Sequence, residues 1–199
     1  MSKQDLMETI MAEVKACRKC ELWRSRRNPV PGEGSLDAVV MFIGEAPGYW
    51  EDLKGRPFVG AAGQFLDELL AKIGLARRDV YITNVLKSRP PENRDPQPSE
   101  IEACTPYLDR QIRIIHPKII VTLGRHSMSY ILSKIGFEIR GITGVHGRVY
   151  DGKLLGLKVT IVPTFHPAAA LYNLKYKDAI ERDFQVIKRE LEKLGARST

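Results

Sequence analysis

Residues 38–48 read Ala38-Val39-Val40-Met41-Phe42-Ile43-Gly44-Glu45-Ala46-Pro47-Gly48. Six apolar residues without a polar interruption describe a strand buried on both faces, and such strands belong to parallel sheets covered by helices on either side. The run ends in a turn of unusual composition. Pro47 fixes the backbone, Gly44 and Gly48 allow another group to approach it closely, and Glu45 adds a carboxylate. The turn matches neither Gly-x-Gly-x-x-Gly nor a Gly-Lys-Ser/Thr phosphate loop, so the common nucleotide-cofactor fingerprints are excluded.

The same alternation of strand and helix continues in both directions. Leu6, Ile10 and Val14 recur at helical spacing over about 3–16. Phe65, Leu66, Leu69, Leu70 and Ile73 mark a helix closed by Gly74. Val80-Tyr81-Ile82-Thr83 is a second strand ending at Asn84. Ile101, Cys104, Leu108, Ile112 and Ile115 lie on one face of a long helix, and a third strand follows over 118–124. A helix over about 125–135, a Gly-rich strand-like stretch over 138–157 and the strand Val159-Thr160-Ile161-Val162 come next. Ile180, Phe184, Ile187, Leu191 and Leu194 form a final helix that Gly195 is expected to stop. The expected fold is a single α/β domain over residues 1–199: three α/β/α layers around a central, mainly parallel four-stranded sheet.

The 199 residues carry a net charge of +7, which favours an anionic partner, nucleic acid first. Lys15, Arg18, Lys19, Arg24, Arg26 and Arg27 crowd one segment and Lys87, Arg89 and Arg94 another. Many charged residues with few Asn and Gln suit a thermophilic source. No apolar run is long enough to span a membrane, and the opening Met1-Ser2-Lys3-Gln4-Asp5 has no signal-peptide core. An intracellular, cytoplasmic protein is expected.

Ligands of parallel sheets bind beyond the carboxyl ends of the strands, which singles out the loops opening at Gly44, Asn84 and His166. Asn84 offers an acceptor and a donor side by side, the complement of the N3–H and O4 edge of uracil and a mismatch for cytosine. Phe58, in the polar stretch Arg56-Pro57-Phe58-Val59-Gly60, either plugs the core or stacks on a flat base. His166 opens the loop His166-Pro167-Ala168, where a neutral imidazole N–H can stabilise charge growing on uracil O2. His116, His126 and His146 open no comparable loop. The three cysteines include the close pair Cys17-x-x-Cys20, which points to metal or redox chemistry. Cys104 falls on an apolar helix face, where a free thiol also packs well.

Five motifs in order, Gly44-Glu45-Ala46-Pro47-Gly48, Gly55-Arg56-Pro57-Phe58-Val59-Gly60, Ile82-Thr83-Asn84-Val85, Arg89-Pro90-Pro91-Glu92-Asn93-Arg94 and His166-Pro167-Ala168, resemble the family 4 uracil-DNA glycosylases, the thermostable iron-sulfur branch of that superfamily. The resemblance implies a monofunctional DNA glycosylase of base excision repair. It would act as a nucleoid-associated monomer on uracil in single- or double-stranded DNA, hydrolysing the N-glycosidic bond of a flipped base. It implies roles too. Gly44, Glu45, Ala46, Pro47 and Gly48 line the uracil pocket, Glu45 positions water, Phe58 stacks on the base, Asn84 reads its edge and His166 stabilises the departing anion. Arg89 and Arg94 meet DNA, and the Ala170-Leu171 tip fills the vacated place in the duplex. The family's [4Fe-4S] cluster uses four cysteines. Cys17, Cys20 and Cys104 match three, and the fourth place is Ser88, leaving oxygen ligation, an outside ligand, a three-iron form or loss of the cluster open. Tyr49-Trp50, where many relatives carry charge, is a second departure. Two other functions share these features: a non-catalytic iron-sulfur DNA-binding module, which has no need of Asn84 and His166 together, and a glycosylase for other deaminated bases such as hypoxanthine.

Overall fold

A computed structural model of the chain describes residues 1–197, with side chains through residue 195. Its central sheet comprises β1 (Glu33–Gly34), β2 (Val40–Gly44), β3 (Tyr81–Asn84), β4 (Ile119–Leu123), β5 (Tyr150–Leu154) and β6 (Leu157–Thr164), in the order β1-β3-β2-β4-β6-β5. The four expected strands, β2, β3, β4 and β6, form the parallel centre. Two short antiparallel edges, β1 on β3 and β5 on β6, extend it to six. β1 escaped the sequence reading because two residues, Glu33 and Gly34, show no alternation. Of the strand-like stretch 138–157, only Tyr150–Leu154 and the start of β6 pair.

Helices α1 (Lys3–Ala16), α2 (Tyr49–Lys54), α3 (Ala61–Lys72), α4 (Pro98–Ile115), α5 (Arg125–Ser133) and α6 (Leu174–Arg197) complete the chain. Ser2 caps α1 through a reciprocal pair with Asp5, the Asp5 N–H donating to Ser2 Oγ at 3.1 Å and the Ser2 N–H to Asp5 Oδ2 at 2.8 Å. The last helix runs through Gly195, which a helix interior tolerates at about 1 kcal/mol relative to alanine.

Strand residues alternate between two cores. Met41, Ile43, Ile120 and Ile161 face α1, α4 and α5, where Ile10, Leu108, Ile112 and Ile131 are fully buried. Phe42, Val121 and Val162 face α3 and α6, where they meet Leu66, Leu69, Ile180 and Phe184. These are the three expected layers.

Register places the site. Gly44 pairs with Asn84 across β2 and β3, and Leu123 with Thr164 across β4 and β6, so the carboxyl ends of all four parallel strands finish along one edge. From β2 the chain goes to β3 on one side and then to β4 on the other. The switch in direction opens a crevice between the loops after β2 and β4.

Candidate active site

A cleft of about 490 Å3 occupies this edge, within the size range of small-ligand sites. Glu45, Ala46, Pro47, Gly48, Phe58, Asn84 and His166 all line it, so the three loops converge. Gly44 lies behind Asn84 and Phe58 and is not on the cleft surface. A Cβ there would lie 2.4 Å from Asn84 Oδ1 and 2.7 Å from Phe58 Cζ, so both walls of the slot rest against a residue with no side chain.

Phe58 is buried and adopts a left-handed backbone (φ 49) that a bulky residue rarely takes. The surroundings hold it there. Arg77 donates to the carbonyls of Phe58 at 3.0 Å and Pro57 at 2.6 Å, and is itself paired with Glu33 and Asp67. Gly63 in the first turn of α3 passes so close that a Cβ would meet the Phe58 carbonyl oxygen at 1.8 Å. Phe58 is therefore a fixed plate, with the His166 ring 5.4 Å away and nearly parallel to it at 22°.

Asn84 ends β3 at 1% exposure, and its Oδ1 is buried without a hydrogen-bond partner. An orphaned buried acceptor costs about 1–3 kcal/mol, which a ligand donor relieves. Lys87, fully buried beneath it, donates through Nζ to the Asn84 carbonyl at 2.7 Å and to Thr83 Oγ1 at 2.6 Å, and burial pulls its pKa down to about 7. The sequence reading counted Lys87 among the surface charges; nothing in a strand-end Thr-Asn-Val-Leu-Lys pattern marks a lysine that turns inward.

His166 accepts the Ala168 N–H at Nδ1 (3.1 Å), which places the ring hydrogen on Nε2. Enclosure by protein on all sides but the cleft lowers its pKa to about 4, so the imidazole is neutral near pH 7. Behind it, Asp183 accepts from Thr164 Oγ1 at 2.6 Å and lies 2.9 Å from His146 Nδ1, and the His146 ring packs 4.5 Å from Phe165.

The Glu45 carboxyl occupies the switch-point crevice. Burial, helped by the charge of Asp95 and opposed by Arg125, raises its pKa to about 7. His126 Nε2 lies 3.7 Å from it and 3.9 Å from Asp95, and Arg125 pairs with Asp95. His126, which the sequence reading set aside because it opens no comparable loop, stands in the first turn of α5. It follows Gly124 at the carboxyl end of β4, and the signal was the Gly124-Arg125-His126 step straight after an apolar run. Gly124 is also positional: at φ +97, a Cβ would lie 2.5 Å from Glu45 Oε1.

The expected DNA-facing residues divide. Leu171 stands at the mouth of the cleft, 44% exposed, while Ala170 is half-buried against the α3–α6 core. Arg94 lines the cleft, but its guanidinium is held by Glu100 in a two-pronged pair at 2.6 and 3.0 Å. Arg89 lies over the Tyr49 ring, 5.3 Å from its centroid.

Cys17, Cys20, Cys104 and Ser88 meet in a separate cavity between the end of α1, α4 and the segment after β3. The three thiols are free and half-buried. Cys104 Sγ accepts the Lys87 N–H at 3.2 Å, and Ser88 Oγ accepts from Arg26 at 2.9 Å. Three soft thiols in apolar surroundings suit iron-sulfur ligation, and Ser88 is the one hard donor at the place of a fourth.

A rigid aromatic plate, a buried amide with an unpartnered acceptor and a neutral imidazole thus line one cleft at the edge of a parallel sheet. The profile of the Uracil DNA glycosylase superfamily matches residues 31–190. Type-4 uracil-DNA glycosylases of Saccharolobus solfataricus and Sulfurisphaera tokodaii are 52% and 56% identical to the chain, over 94% and 92% of it and 87% and 84% of their own lengths. That of Thermotoga maritima is 48% identical over 86% of both chains. The chain belongs to the uracil DNA glycosylase superfamily and, within it, to the type-4 uracil-DNA glycosylases.

Proposed function

We propose that this chain is a monofunctional uracil-DNA glycosylase, a single domain that works as an intracellular monomer on uracil in single- and double-stranded DNA and leaves an abasic site. One observation carries the reading: the unpartnered Oδ1 of Asn84, buried beside the Phe58 plate. Uracil N3–H supplies the missing donor. Cytosine presents an acceptor at N3 and would leave two lone pairs facing each other.

Extrusion of the uracil costs a few kcal/mol, least where the base is unpaired or mismatched. The base then stacks on Phe58. His166 Nε2–H donates to O2, a bond that strengthens as the glycosidic bond breaks and negative charge collects on the leaving uracil. Glu45, ionised, orients water toward the anomeric carbon of the oxocarbenium-like sugar. Leu171 enters the gap left in the duplex, and Arg89 faces phosphate. Arg94, committed to Glu100, shapes the cleft wall.

Cys17, Cys20 and Cys104 are the residues that would hold a [4Fe-4S] cluster, with Ser88 at the fourth position. When bound, the cluster would supply a cross-link between α1, α4 and the segment after β3, and no catalytic step needs it.

The test is a set of oligonucleotides carrying a single U, hypoxanthine or T, incubated with the protein and then treated with alkali. Cleavage at U is expected. Cleavage at none would leave the non-catalytic module, and cleavage at hypoxanthine alone would reassign the base.

The pH profile follows from Glu45. Its ionised form is the active one, so kcat/KM rises with pH through about 7, and Glu45→Gln abolishes that limb along with most of the rate. His166, already neutral above about pH 4, adds no limb between pH 5 and 9. The linked stability change has the opposite sign. Folded Glu45 holds its proton more tightly than the unfolded chain does, so its contribution to stability declines between about pH 4.5 and 7. Single-turnover rates measured across pH 5–9 decide the point, and a flat profile for the unaltered protein refutes the assignment.

A further inference from the structure

The wall of the cleft holds an aromatic pair that the reaction above does not use. Tyr49 and Trp50 are 46% and 52% exposed, and their rings meet edge to face at 5.1 Å. Both line the cleft that Phe58, Asn84 and His166 share. Each ring packs on a neighbour. Trp50 Cδ1 lies 3.3 Å from where a side chain on Gly60 would begin, so the indole packs closely over that glycine. The Glu51 carboxylate lies beside the same glycine, one of its oxygens 3.9 Å from where that side chain would begin, so α2 sits close to the Phe58 loop. Arg89 covers one face of Tyr49 and is fixed by donation to Asn93 Oδ1 at 2.7 Å.

Exposed aromatic rings beside an arginine are the elements of a single-stranded nucleic acid platform, where bases stack without regard to sequence and the cation meets phosphate. We propose that Tyr49 and Trp50 form a second base subsite, on which an unpaired nucleobase adjoining the uracil stacks while Arg89 meets the phosphate between them. The inference rests on the function proposed above and adds a substrate preference to it. In a duplex the neighbouring base is already stacked and paired, so reaching the subsite requires disrupting it. In a single strand that cost nearly vanishes. Stacking on an aromatic side chain contributes about 1–3 kcal/mol per base, so roughly a five- to 150-fold preference is available.

Two measurements test it. The first compares kcat/KM for one uracil in a single-stranded oligonucleotide and in the same sequence paired opposite adenine. Trp50→Ala is expected to lower the single-strand value about tenfold, a loss at least fivefold greater than on the duplex, and Trp50→Phe to retain most of it. The second follows tryptophan fluorescence in a Trp23→Phe background, where Trp50 alone reports, during titration with a uracil-free single strand. Quenching is expected. Equal losses on both substrates, or no quenching, overturn the subsite. If the unaltered protein cuts neither substrate, the proposed function fails, and the quenching still decides whether single strands bind here.

Discussion

His166→Ala lowers the single-turnover rate of uracil release by about 10²–10³-fold, the usual cost of removing one preorganised donor from a developing anion. Tautomer and charge set the size of the loss. Nδ1 is occupied by the Ala168 N–H, so the hydrogen on Nε2 points to the cleft before substrate arrives. A pKa near 4 keeps the ring neutral, so it donates without competing for the proton and needs no reorganisation during bond breakage. Because the ring stands at a strand end and lines the cleft, outside the two core clusters, the variant should melt within a few degrees of the parent. His166→Gln, which keeps a donor in a less fixed position, should recover part of the rate. An unchanged rate in the alanine variant would remove His166 from the chemistry.

Asn84→Ala is expected to reduce kcat/KM on uracil about a hundredfold, since two hydrogen bonds of about 1.5 kcal/mol each disappear from a buried edge. Asn84→Asp separates recognition from packing. It conserves volume but replaces the donor half of the amide with an acceptor, so uracil O4 meets an oxygen and activity falls with the slot still filled. Circular dichroism melts establish that both variants fold. Equal uracil rates in parent and Asn84→Asp would show that the base is read elsewhere. The alanine variant should also discriminate less against cytosine, measured on a matched C-containing strand, because the clash that excludes cytosine is lost with the amide.

The layered architecture was legible because the period of the apolar residues is a local property. Continuous runs such as 38–43 admit few placements other than a covered parallel strand, though Val39 is exposed and β2 starts at Val40; Ile10 and Val14 fix a helix face, on which Met7 and not the exposed Leu6 takes the third buried place. The three strand-end loops were legible for a topological reason, since parallel strands must finish at one edge. Other features were not legible because they are relations between distant segments. β1 exists only through its register with β3. Glu45, Asp95 and His126 approach one another from two loops and the first turn of α5. Lys87 and Arg94 read as surface cations by residue type, yet one is enclosed beneath Asn84 and the other neutralised by Glu100, a difference that only packing reveals.

The pairing of Gly44 with Asn84 across two central strands has a bearing on heat resistance. A binding slot built on mobile loops tends to loosen before the rest of a protein melts, so enzymes of that kind fall silent while still folded. Here Gly44 and Asn84 form one rung of a parallel ladder in the buried centre of the sheet, and that side of the slot cannot gape unless the ladder parts. Base selectivity and global structure should therefore vanish together on warming, at a single temperature.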